Sequence, residues 1–137
     1  MRTIDNIDKE LLVDLLTTAT FGSDWLEIKT LKSEKDLDAN LDETYLQNRC
    51  MEERWADRLL NGGHIICIDW YDYETDENGN DIDGVRYKLT LEDFKKGLLK
   101  AKGKEAMRDW VDFVEENDDY YTCNNLVQVV IFGEVIY

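Results

Sequence analysis

An α+β fold is what this chain predicts: a three-stranded, mainly antiparallel sheet (24–31, 64–71, 84–90) with four or five helices packed mostly on one face. Three observations carry that prediction. Apolar residues recur at helical spacing in both halves of the chain. Two β-rich runs flank an Asn-Gly turn near the middle. A length of 137 residues suits one domain, 1–137, with one layer of helices on one sheet.

The elements follow in order. Ile7, Leu11, Leu12, Leu15, Leu16 and Ala19 share one helical face, so residues 7–20 predict an amphipathic helix, capped by Asp5 or Asn6 and ended by Gly22. Leu26, Ile28 and Thr30 alternate, which predicts a strand over 24–31. Residues 32–42 are charged and without period, and predict a loop. Met51, Trp55 and Leu59 are four apart, with Tyr45, Ala56 and Leu60 nearby, so a second helix is expected over 43–60, stopped by Gly62-Gly63.

The strongest β signal comes next. Residues 64–71 (HIICIDWY) are rich in β-branched and aromatic side chains, and in VRYKLTL the side chains Val85, Tyr87 and Leu89 alternate with polar ones. With Asn78-Gly79 between them, the two runs predict a hairpin closed by a loop over 72–83. Thr90 with Asp93 resembles a capping box, opening a helix over 91–101 that buries Leu91, Phe94, Leu98 and Leu99. Gly103 separates this from a helix over 104–116, with Met107, Trp110, Val111 and Val114 on one face. The closing stretch is ambiguous: Cys123, Leu126, Val127, Val130 and Ile131 fit a helical face, while its valines favour a strand. The helical reading is preferred, ending near Gly133.

Asp and Glu number 31 against 16 Lys and Arg, a net charge of −15. Such a surface repels nucleic acid and anionic lipid, because those polyanions are bound by positive charge that displaces their counterions. Solubility is the ordinary reading of this charge, and a partner with a basic groove is the sharper one. Cys50, Cys67 and Cys123 are scattered and odd in number, unlike a secreted disulfide framework, and the first residues have no apolar run. A cytoplasmic setting, with no membrane span, is the expectation.

Residues 69–83 carry seven acids and no base. A calcium loop read from Glu74 places Asp76, Asn78 and Gly79 correctly. It then fails, with Ile82 and Val85 at the ninth and twelfth positions, where the twelfth needs a bidentate Glu. No metal or cofactor is expected. The candidate partner-binding acids are therefore those of the hairpin tip, Asp72, Glu74, Asp76, Glu77, Asp81 and Asp83. A second row, Glu105, Asp109 and Asp112, is spaced four and three along one helix side. A solvated surface is the plain reading of both sets. The single basic cluster, Lys95, Lys96, Lys100, Lys102 and Lys104, reads as an exposed helix side.

His64 is the only histidine, and three residues from Cys67 it points to the opposite strand face, so a local Cys-His pair is not expected. Cys50, His64, Cys67 and Cys123 have no recognised zinc spacing. No phosphate loop, dinucleotide fingerprint, GxSxG or HExxH occurs. Catalysis is not expected, and no catalytic residue is proposed.

The segments EERWADRLLNGGHIICI, YKLTLEDFKKGLLKA and NNLVQVVIFGEVIY, in that order, resemble a family of small acidic proteins from phages and mobile elements of gut Firmicutes. The resemblance spans residues 8–137 and departs at the longer 72–83 turn and the acidic stretch 104–119. It implies a phage-like setting and contributes no site residues. Two functions follow as expectations. One is an inhibitor that mimics nucleic acid and fills a basic groove of a host defence or nucleic-acid-processing protein. The other is an interaction module without mimicry, binding through exposed aromatics such as Tyr71, Tyr73 or Tyr120.

Overall fold

The computed structural model describes residues 2–37 and 51–137. In chain order these form α1 (Lys9–Thr20), β1 (Leu26–Thr30), a 3-10 turn (Lys32–Leu37), α2 (Met51–Leu60), β2 (Ile65–Thr75) and β3 (Asp81–Leu89). They continue with α3 (Leu91–Lys100), a π-helical turn (Ala101–Glu105), α4 (Met107–Val114) and α5 (Tyr120–Phe132). The expected helix over 43–60 is seen from residue 51; its earlier part with Tyr45, the 38–42 loop and Cys50 lie outside the described residues.

The architecture is α+β. The sheet order is β1-β2-β3, antiparallel throughout. Register pairs Leu26 with Asp69, Ile28 with Cys67 and Ile65 with Leu89. Because strand side chains alternate, Leu26, Ile28, Ile65, Cys67 and Leu89 share one face, and all five join the buried core with α1, α2, α3, α4 and α5. The opposite face carries Glu27, Lys29, Ile66 and Lys88.

Helix α1 is capped by Asp8 rather than by Asp5 or Asn6: the Asp8 carboxylate accepts the Leu11 N–H at 2.9 Å. That satisfies a donor that the first turn cannot pair internally. In α3 the expected capping box is present, with Thr90 and Asp93 bonded reciprocally. Helix α3 crosses α5 at Gly97, where a Cβ would stand 2.5 Å from the Val130 Cα, so only glycine allows this approach.

Three expectations need correction. The hairpin strands run to Thr75 and start again at Asp81, so most of the expected 72–83 loop is paired strand. The turn itself is tight because the Asp76 carboxylate accepts the N–H groups of Asn78 and Asn80, each at 2.9 Å, and the Asp76 N–H reaches the Asn80 carbonyl. Leu99, Met107 and Val111 are exposed, the first two at 59%, while Trp110 and Phe113 are buried. Gly103 does not break the chain. It sits inside the π-helical turn, and the break falls at Ala106, whose φ of −151 and ψ of 48 end the helical winding before α4 begins with Trp110 and Phe113 buried. The ambiguous closing stretch is helix, begun by Asp119 accepting the Thr122 N–H and ended at Gly133. Burial around most of α5 outweighs the strand preference of its valines.

Candidate functional site

Beyond Asp69, the β2–β3 hairpin leaves the core. Every β2 residue from Trp70 to Thr75 is exposed, as are Asp81, Ile82 and Asp83 on β3. At strand rise this two-stranded arm, residues 70–83, extends roughly 15–20 Å. It holds six acids and no Lys or Arg. Its register pairs Tyr73 with Asp83, Glu74 with Ile82 and Thr75 with Asp81. Asp81 and Asp83 therefore share one face with Tyr73, whereas Glu74 shares the other with Ile82. The arm is negative on both faces, with Glu77 exposed at its tip.

The arm acids are not equivalent. Asp76 builds the turn, as described above, and Asp72 accepts the Tyr73 N–H at 2.8 Å. Glu74, Glu77, Asp81 and Asp83 are the exposed carboxylates with free acceptor capacity toward a partner. Exposed aromatics stand among them: Tyr71 and Tyr73, both at 59%, and Trp70. The local field reaches inward. The Tyr87 phenol is raised above its ordinary value by burial and then by the charges of Asp69, Asp72 and Glu74.

At the root of the arm the ladder slips. Trp70, Tyr71 and Asp72 stand opposite Gly84 alone, between the Asp69–Val85 and Tyr73–Asp83 pairs. Gly84 has φ +84, and a Cβ there would lie 2.9 Å from the Trp70 ring and 3.0 Å from Ile68. The Arg86 guanidinium lies 5.6 Å from the Trp70 ring centroid and donates to the Gly84 carbonyl at 3.0 Å, bracing the bulge from one side. Asp69, only 2% exposed, holds the other side: its Oδ1 accepts the Tyr71 N–H at 3.0 Å.

The second acidic row does not stay together as an open surface. Glu105 is exposed on the π-helical turn. Asp109 is partly covered and accepts from Asn125 Nδ2 of α5 at 3.4 Å. Burial raises the Asp109 carboxyl above its ordinary value; the Asn125 hydrogen bond opposes this, and the charges of Asp112 and Asp119 add to it. Asp112 is also partly covered. Neighbouring acids serve the fold: Asp119 caps α5, and Asp118 and Asp14 bracket the Arg2 guanidinium at 2.8 and 2.6 Å.

His64 has a partner the sequence reading did not supply. Its ring nitrogen and its backbone N–H both meet the Glu34 carboxylate, tying the 3-10 turn to the start of β2. Burial would push the Glu34 carboxyl up, but the His64 hydrogen bonds outweigh it and hold it below its ordinary value. Cys67 and Cys123 are free and buried; burial pushes the Cys67 thiol up to about 12, far from a reactive thiolate. Among the described residues no group of three or more His, Cys, Asp and Glu side chains is placed to hold a metal ion, and no helix is long and apolar enough to cross a membrane.

The sequence reading found the arm but missed its root, Asp69 with Arg86 and Trp70. One signal was available: an acid inside the apolar run IICIDWY is a buried charge in need of partners. Comparison with protein-family models, curated proteins and solved structures finds no match for this chain.

Proposed function

We propose that this chain is a small acidic inhibitor of phage-like character, whose arm enters a basic groove of a host defence or nucleic-acid-processing protein and stands in for nucleic acid. The observation that carries the reading is the arm's layout: six acids without a base, on a ribbon that projects from the core and is negative on both faces. A flat partner surface would use one face. A ribbon charged on both suits a groove with basic walls on either side. Carboxylates two residues apart along a strand lie about 6.6 Å apart, a regular spacing for a series of Lys or Arg contacts. The net charge of −15 adds long-range attraction to a basic partner. The reading needs no catalytic group and no direct contact with nucleic acid.

The second reading, an interaction module without mimicry, is favoured by the exposed Trp70, Tyr71 and Tyr73, since aromatics commonly anchor interfaces. Charge on a bare ribbon also blocks edge-to-edge pairing with other strands, which accounts for part of the acid content without any partner.

Capture from host lysate followed by competition separates these readings. The immobilised chain should retain a basic protein, and a short DNA or RNA duplex should displace it. Retention of a protein that nucleic acid does not displace contradicts the mimicry and leaves the plain module.

A further inference from the structure

We infer that the segment 133–137 acts as a latch on the arm: the Tyr137 hydroxyl, bonded to Asp69 at the bulge, sets the direction in which the arm leaves the sheet. Its functional meaning rests on the reading of the arm as the binding element; the latch itself does not.

The bond lies at the point where the arm's direction is decided. Tyr137 donates to Asp69 Oδ2 at 2.6 Å while Asp69 Oδ1 accepts the Tyr71 N–H, so one carboxylate joins the closing segment to the bulged strand. The Tyr137 ring also packs tilted against Trp25 at 5.1 Å and edge-on against Phe132 at 5.9 Å and against Tyr71, itself an arm residue, at 5.2 Å. A polar chain anchors the far end. The N–H groups of Ile136 and Tyr137 both reach Gln128 Oε1, and Gln128 Nε2 donates to Asn124 Oδ1, which also accepts from Trp25 Nε1. Asn124 Nδ2 in turn donates to the Ala19 carbonyl. The interior of the helical layer is thus wired to the arm's root.

The latch is poised to open rather than fused to the core. Residues 133–137 have no helix or strand of their own, and Val135, Ile136 and Tyr137 remain substantially exposed. Half-exposed segments outside regular helix and strand open locally at lower free energy than the core. On the other face of the root, the Arg86–Trp70 contact does not involve Tyr137, so opening should swing the arm without unpairing β2 from β3. The Tyr137 phenol is protonated near neutral pH as any phenol is, and burial and then the Asp69 hydrogen bond raise it further above its usual range.

The test uses the whole chain without any partner. Amide hydrogen exchange and residual dipolar couplings are measured by nuclear magnetic resonance for the parent, Tyr137→Phe and Tyr137→Leu. Loss of the hydroxyl alone should speed exchange at the Tyr71 amide about fivefold, the scale of one net hydrogen bond. Couplings from residues 73–83 should shrink relative to those of α5, and the melting temperature should move by no more than about 2 °C. Tyr137→Leu should loosen the arm further. Unchanged Tyr71 exchange and unchanged arm couplings in both variants overturn the latch, whatever the arm binds. Loosened couplings in a chain whose arm acids prove irrelevant to binding keep the latch and remove the proposed function.

Discussion

The arm and the outer side of α4 offer the same chemistry on paper and different chemistry in space. Both are rows of carboxylates at regular spacing. On the arm the acids project from a ribbon beyond the core, and Glu74, Glu77, Asp81 and Asp83 are exposed. Around α4 the acids are divided among tasks: Asp109 reaches Asn125, Asp118 holds Arg2 and Asp119 caps a helix. Spacing alone makes a row of charges. What makes it a binding surface is whether the fold has left the carboxylates unused.

Three substitutions press on that difference. Gly84→Val attacks the arm where it is built. A side chain at φ +84, driven into Trp70 and Ile68, should cost about 2–3 kcal/mol in chemical denaturation, with the lost order centred on residues 70–84. A cost near zero would mean that the arm is an unstructured loop. Asp76→Ala and Glu77→Ala then compare neighbours at the tip. Asp76→Ala removes the acceptor for two N–H groups and should destabilise the turn by about 1 kcal/mol, whereas Glu77→Ala should stay within about 0.5 kcal/mol. Equal effects would erase the distinction between a structural acid and a free one.

The smallest effect belongs to α4. The Asp109 carboxyl is raised in the folded chain above its ordinary 3.8, so its contribution to stability is fully present below that value and is lost as pH rises through the folded one. Asp109→Asn should therefore be neutral or stabilising at pH 7, by up to about 0.5 kcal/mol, and that advantage should vanish below pH ~4. Thermal melts of both chains across this range check the sign; a variant less stable at pH 7 than at pH 4, relative to the parent, contradicts it.

Much of this was legible in the amino acids because local signals agreed. Thr90 and Asp93 cap a helix wherever they meet, and Asn78-Gly79 closes a hairpin between β-rich runs. Long-range placement was not legible. Nothing near Met107 or Val111 announces that the helical winding breaks at Ala106 and leaves both side chains exposed, and nothing near His64 points to Glu34 thirty residues earlier. The candidate acids were all found by counting, but counting could not separate Asp76, spent on its own turn, from Glu77 beside it. Asp69 was counted with the acids of 69–83, but its role at the arm's root was not legible, because its side-chain partner Tyr137 lies 68 residues away and reaches it only in the folded chain.

The central claim is that the arm's open carboxylates, and not the chain's overall charge, make the contact. Binding kinetics to the captured partner at about 50 and 300 mM salt test it most directly, spanning screening lengths on either side of about 10 Å. The arm variant is Glu74→Gln, Glu77→Gln, Asp81→Asn and Asp83→Asn, and the matched control is Glu105→Gln, Asp109→Asn and Asp112→Asn. At low salt the arm variant should associate about tenfold or more slowly than the parent, with dissociation changed less and with a flattened salt dependence. The control should stay within about twofold. Equal association by parent and arm variant at both salt concentrations would contradict the claim and leave the acids as a means of staying in solution.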